Sequence, residues 1–317
     1  MSRSATWTAR VRVPASTSNL GGGFDCVGVA VDRWLMASVV AHDGGPAGQA
    51  VVTMTRAGAL ASVARPPEHD LIHAGFAMAC AARGRTVPSK LEYAAESTIP
   101  VARGLGSSAA ALVAGAMLAD EALALGLSRE EIAALCARTE GHADNAGAAV
   151  FGGAVLGVMT GDDPNAPPYA FTALRVHPDL ALVFAVPDFE IRTSAARAVL
   201  PATVPHATAV AAVAKAAALV EGLATGDGRL LTYALDDVLH VPYRRDNVRG
   251  YGAIVDAARA AGAHGATLSG SGSTMAAVAP SSAADRVAAA MQAAWAKLGI
   301  AADALIAPKP AAAASRG

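Results

Sequence analysis

Apolar and polar residues alternate from Trp7 to Val13, the two-residue period of a half-buried strand. Val27 to Val31 and Trp34 to Ala41 read as two more strands, and Val51 to Arg56 as another. From Asp70 to Arg83 the spacing turns helical, with Leu71, Ile72, Phe76 and Met78 as its apolar positions, until Gly84 to Ser89 breaks it. Leu91 to Ile99 favours a strand. An apolar, alanine-rich run from Ala109 to Leu125 predicts a buried helix, ended by Gly126. Ser128 and Glu131 have capping-box spacing and open a helix running to about Glu140. Gly141 to Gly153 reads as a polar turn followed by a small-residue segment, and Ala154 to Met159 as a strand.

The second half opens with strands at Phe171 to Val176 and Leu180 to Val186. Helices are predicted at Thr193 to Leu200, His206 to Ala224, Leu230 to Leu239, Val248 to Ala261 and Ala283 to Leu298. Short strands at Ala266 to Leu268 and Thr274 to Val278 flank a Ser-Gly-Ser-Gly-Ser turn, and Ala304 to Ala307 is the last strand. Gly161 to Pro168 is rich in Pro, Asp and Asn, which predicts a domain boundary: 1–165 and 166–310. The alanine-rich residues 311–317 read as a disordered tail. Strands and helices interleave without regular βα alternation, so the class expected is α+β.

Composition narrows this picture. A chain of 317 residues suggests about two domains, and 53% hydrophobic residues suffice for a sizeable core. Lys plus Arg number 25 against 26 Asp plus Glu, so charge gives no case for nucleic acid or an anionic membrane. Ser2 to Arg12 lacks the apolar centre of a signal peptide. The apolar runs starting near Ala109 and Ala209 read as too short and alanine-rich to span a bilayer, and a cytoplasmic protein is expected. Cys26, Cys80 and Cys136 are odd in number and widely spaced, as buried thiols in a reducing compartment would be.

The chemistry concentrates between Pro100 and Ala110, in the order strand, glycine turn, helix start. Glycines let backbone N–H groups approach an anion closely. The first N–H groups of a helix lack internal partners and sit at the positive end of its dipole. A phosphate supplies the missing acceptors. Neither a Lys-Ser/Thr pair after the second glycine nor dinucleotide-type glycine spacing is present. The plain alternative is a Ser-capped helix after a glycine turn, with no ligand.

The segment Pro100-x-x-x-Gly104-Leu105-Gly106-Ser107-Ser108-Ala109-Ala110 resembles the phosphate loop of the GHMP small-molecule kinases. Five further segments, spread over nearly the whole chain in the family's order, extend the resemblance, and Asn19, His142 to Asn145 and Tyr243-Arg244 within them point to its homoserine kinase branch. They are Val13 to Asp25, Glu140 to Asn145 with Phe151-Gly152-Gly153, Thr193-x-x-x-Arg197, His240 to Arg244, and Gly265 to Thr274, which resembles the third GHMP motif. The chain departs at Gly22, Ala148 and Ser273, where the family commonly has Pro.

The resemblance implies an N-terminal domain like the second domain of ribosomal protein S5 and a C-terminal ferredoxin-like domain. It implies transfer of the ATP γ-phosphoryl group to an alcohol, homoserine first. Threonine, mevalonate or a sugar-like alcohol are alternatives, as is a nucleotide-binding regulator without catalysis. ATP would lie on Pro100, Arg103, Gly104, Leu105, Gly106, Ser107, Ser108 and Ala109. Mg2+ would take the Ser108 hydroxyl and the Glu140 carboxylate; otherwise a carboxylate at the negative end of a helix is badly placed. For a zwitterion, Asp25 would take the ammonium, Arg197 and Arg244 the carboxylate, and Asn19 and Thr193 complete the substrate site. Arg245 stands beside Arg244 as an alternative. Asp144 as general base, and a base-free route with His142 and Asn145 orienting the hydroxyl, stand equal, and Arg244 is placed in the catalytic set as well as the substrate site. Asp70 falls where relatives often carry Asn near the adenine. Many relatives are dimers, which leaves a homodimer open.

Overall fold

A computed structural model describes residues 5–42, 51–161 and 168–317. Its first layer is a seven-stranded sheet. β1 (Thr6–Ser18) runs antiparallel to β2 (Val27–His42), and β3 (Val51–Gly58) lies parallel to β4 (Lys90–Ser97) at the far edge. The two strands expected between Val27 and Ala41 are one. A register shift at Pro14/Ala15 leaves Asp32 and Arg33 outside the ladder, and this polar pair is what divided the pattern. β1 also continues past Val13 through Ser16, Thr17 and Ser18, whose buried hydroxyls break the alternation.

Four helices cover one face of this sheet: α1 (Leu71–Ala82), α2 (Ser107–Leu123), α3 (Arg129–Glu140) and α4 (Asp144–Phe151). Alternation along β1 explains the sidedness. Ala9, Val11 and Val13 are buried beneath the helices, while Arg10 and Arg12 face solvent. Asp70 caps α1 by accepting from the Ile72 N–H, and Ser128 and Glu131 form the expected capping box. Ala124, rather than Gly126, takes the left-handed cap of α2. α4 replaces the turn and small-residue segment expected after Gly141. Its Ala and Gly residues carry almost no apolar side chain, so no helical stripe marks it.

β5 (Ala154–Met159) pairs with β2 and with β6 (Tyr169–Leu174). The boundary expected at 165/166 lies outside the described residues, but β6 lies beyond it and still belongs to the first sheet. Residues 311–317 are also part of this layer, not a disordered tail. The Ala311 N–H donates to the Ala30 carbonyl and the Ala314 N–H to the Ala149 carbonyl. β11 (Ser315–Arg316) then pairs with β1, and Arg316 meets the buried carboxylate of Asp120. Small side chains let this segment lie close against α4, and the edge of β1 supplies backbone partners that composition does not reveal.

The second layer has strand order β10-β7-β9-β8, all antiparallel, from β7 (Leu180–Pro187), β8 (Gly265–Leu268), β9 (Met275–Pro280) and β10 (Ala302–Ala307). With α9 (Tyr251–Ala260) and α10 (Ala284–Ala296) the chain order is βαββαβ, the ferredoxin-like arrangement expected. Between β7 and α9 lie α5 (Thr193–Ala198), α6 (His206–Thr225), α7 (Gly228–Ala234) and α8 (Val241–Arg244). α7 stops short of the helix expected to Leu239. The Asp237 carboxylate instead caps a turn that leads into α8. α6 is long and apolar enough to cross a membrane by length and composition, contrary to the sequence reading. Its Ala212, Leu219, Gly222 and Leu223 are buried, while Val210 and Val213 are exposed.

Candidate active site

The glycine turn enters α2 as the sequence predicts. Gly106 is the N-cap at φ 67°, and no side chain caps the helix there. A Cβ on Gly106 would lie 2.0 Å from Ser16 Oγ, and one on Gly104 2.1 Å from the Ser269 carbonyl oxygen. Only glycine permits both the left-handed backbone and this close approach. The Ser269–Ser273 turn folds directly onto the loop. Ser269 Oγ donates to the Gly104 carbonyl (2.7 Å) and lies 2.8 Å from Thr17 Oγ1, while Asn19 Nδ2 donates to the Gly270 carbonyl at 3.0 Å.

Two clefts meet at Ala102, Ser107, Ser108 and Thr193. One is walled by Leu60, Val63, Ile72, Ile99, Val101 and Ile191, with Asp70 at its rim tied to Arg56 at 2.7 Å. The other is polar, lined by Ser18, Asn19, His142, Asn145, Arg197 and Arg244 among others. An apolar slot and a polar slot joined over a helix N-terminus suit a base at one end, phosphates in the middle and a polar acceptor beyond.

Ser108 Oγ donates to Glu140 Oε1 at 2.7 Å, and Glu140 Oε2 is buried without a partner. Burial raises the Glu140 pKa, opposed by His142 and the Ser108 hydrogen bond. An orphaned carboxylate oxygen beside a hydroxyl at the loop fits an oxygen-liganded divalent cation. His142 Nδ1 lies 2.6 Å from Asp144 Oδ1. Burial lowers the His142 pKa, but the bond to Asp144 and the nearby carboxylates outweigh it and the net shift is upward. Asn145 is held from every side. Its Oδ1 accepts from Ser16 Oγ, and its Nδ2 donates to Ser18 Oγ and to Asp144 Oδ1.

Asp25 and Arg197, expected on opposite charges of a substrate, pair with each other at 2.7 and 3.2 Å. Arg244 is different. It is 2% exposed, and its Nε donates to the Ala196 carbonyl. Burial and the like charge of Arg197 both lower its pKa, and among the described residues no carboxylate is salt-bridged to it. A buried guanidinium that lines a cleft without a counter-ion marks an anion subsite. Arg245 is exposed beside Asp246 and lies outside the cleft lining.

Not every expected residue reaches the clefts. The Arg103 side chain turns away to the Pro187 carbonyl and, with Pro100, lines a separate groove beside Asp188 and Glu190. Leu105 and Ala109 are buried, so any contact of theirs with a ligand is through the backbone. Asn19 spends its amide on Gly270 and on accepting from the Asp25 N–H. Residue-by-residue reading gave no role to Ser16, Ser18, Ala102, Ser271 or Phe24. A run of hydroxyl residues ending an apolar strand was the one signal for the two serines.

Two family models match the chain: GHMP kinases N terminal domain over residues 70–153, and GHMP kinases C terminal over 216–297. A homoserine kinase of Microchaete diplosiphon is 37% identical over 92% of both chains. One of Gloeobacter violaceus is 40% identical over 90% of this chain and 92% of its own. This chain belongs to the GHMP kinase family. The GHMP kinase fold is equally clear in solved structures. The homoserine kinase of Cytophaga hutchinsonii superposes with a TM-score of 0.82 at 25% identity, covering 98% of this chain and 97% of that one. The mevalonate kinase of L. major, at 18% identity and TM-score 0.62, shares the fold alone.

Proposed function

We propose that this GHMP kinase transfers the γ-phosphoryl group of ATP to the side-chain hydroxyl of L-homoserine, giving O-phospho-L-homoserine and ADP, a step of threonine biosynthesis. The observation that carries the reading is the buried Arg244 guanidinium, salt-bridged to no carboxylate among the described residues, which lines the same cleft as Arg197 and the glycine loop. A zwitterion meets that set: its carboxylate joins the arginines, and its ammonium takes a place on Asp25. The relatives named homoserine kinase support it. A sugar offers no carboxylate, and mevalonate no ammonium.

In this reading the amides of Gly106, Ser107, Ser108 and Ala109 receive the phosphates, and the apolar slot takes the adenine. Ser108 and Glu140 would hold Mg2+, which supplies charge neutralisation on the phosphates. Asn145, fixed by Ser16, Ser18 and Asp144, and His142, fixed by Asp144, orient the acceptor hydroxyl for in-line attack. Thr193 and Asn19 close the site from the second layer and the first. Phosphoryl transfer needs alignment and charge balance more than a strong base. A cytoplasmic location belongs to this reading, and a homodimer stays open to light scattering on the purified chain.

A coupled ADP assay with ATP, Mg2+ and a panel of alcohols tests it. Homoserine is expected to turn over best. Turnover of mevalonate or a sugar in preference to homoserine, or ATP binding without turnover on any amino alcohol, overturns it.

A further inference from the structure

Arg244 sits on a helix of four residues, too short to persist without outside support. Its long side chain loses rotamer freedom when it is fixed. Yet it is among the most buried side chains of the protein. Besides the Ala196 carbonyl, which accepts from Nε at 2.9 Å, three groups lie behind it. Asp237 Oδ2 accepts the N–H groups of Leu239, His240 and Val241 at 3.0, 2.6 and 2.7 Å, which pins the entry to α8. The His240 ring, fully buried, stacks on Phe24 with centroids 4.9 Å apart and planes 18° from parallel. The Arg244 guanidinium carbon lies 5.1 Å from the centre of the Phe24 ring, and Nη1 lies 3.5 Å from His240 Nδ1.

Phe24 is the neighbour of Asp25 in the chain, so one aromatic ring touches both the arginine and the segment that carries the acid. His240 is uncharged at neutral pH. Burial pushes its pKa down to about 4, with Arg244 acting in the same sense against Asp237. A neutral imidazole accepts from the guanidinium where an imidazolium would repel it.

We infer that Phe24, Asp237 and His240 are positioning residues that fix the Arg244 guanidinium in the cleft and thereby set the affinity for the substrate's carboxylate. This rests on the reading that Arg244 grips that carboxylate, and goes beyond it by naming what aims the grip. None of the three touches the reacting atoms. Their loss therefore acts on substrate binding and leaves nucleotide binding alone.

Steady-state kinetics on the full chain with homoserine and ATP test it. Phe24→Leu and Asp237→Ala, which removes the acceptor of the three N–H groups, should each raise KM for homoserine about 10-fold or more, with KM for ATP within about twofold. Phe24→Tyr, which keeps the ring face, should restore most of that affinity. In the double variant Phe24→Leu/Arg244→Ala, KM for homoserine should match Arg244→Ala alone, because Phe24 acts through the arginine. A generally loosened fold would raise both KM values and add to the Arg244 effect, and that result overturns the inference. If Arg244→Ala raises KM for homoserine while Phe24→Leu and Asp237→Ala leave it unchanged, the positioning role fails and the substrate reading stands. If Arg244→Ala itself leaves it unchanged, the substrate reading fails first. Should Asp237→Ala not fold, Phe24→Leu and the double variant still decide.

Discussion

Glu140 carries a tension that its neighbours do not relieve. Its carboxylate is raised in pKa by burial, and one oxygen has no partner. If Glu140 is a magnesium ligand, the metal competes there with a proton. The Mg2+ concentration for half-maximal rate should then fall as pH rises through the titration of Glu140, and Glu140→Gln should lower kcat and remove that dependence. Rates measured across a grid of pH and Mg2+ check both. His240 gives a stability effect of the opposite kind. Its folded-state pKa, about 4, lies below the ordinary 6.5, so the unfolded chain binds more protons between those values. Stability from this residue is complete above about pH 6.5 and is lost as pH falls towards 4. Urea unfolding at pH 7 and pH 5 should show this loss, and His240→Gln should reduce it. At this scale the sequence showed residue types and their order, and the fold brings His142, Asn145, Arg197 and Arg244 to one cleft, with Asp144 fully buried behind the first two. It did not show pairing. That Asp25 and Arg197 would satisfy each other, or that Arg103 would face the other way, depends on distances only the folded chain sets.

The elements divide the same way. The loop before α2 was legible because glycine, serine and an alanine run state a backbone requirement directly. α4 was not, because alanines and glycines give a helix no stripe to read, and its shape comes from packing against β1, β2 and α2. The loop also carries the clearest test of an element. Gly106→Ala forces a side chain into left-handed backbone, costing roughly 1–2 kcal/mol, and sets a methyl against Ser16 Oγ. The helix start would shift, and kcat/KM for ATP should fall on the order of 100-fold. Retention of near-normal kcat/KM would remove the loop's amides from phosphate binding.

For the whole molecule, the two layers are less separable than their sheets suggest. The main core cluster includes Leu182, Phe184 and Val278 of the second sheet together with the helices over the first. The first sheet also needs strands from both sides of the second layer, β6 and β11. A fragment cut at 165 lacks both and should fail to give a cooperative thermal transition. Deleting residues 311–317 removes β11 and leaves the buried Asp120 carboxylate without Arg316. A loss of about 1–3 kcal/mol is expected, read as a lower melting temperature and urea midpoint.

The return of the chain to its starting sheet also orders events during translation. β1 and α4 emerge early from the ribosome, yet the edge that finishes them is made only after the entire ferredoxin-like layer. The nascent protein therefore waits with the β1 edge open until β11 has been made. For the same reason, a purification tag joined after Gly317 hangs from the strand that closes this edge, whereas one joined before Thr6 leaves β11 unburdened.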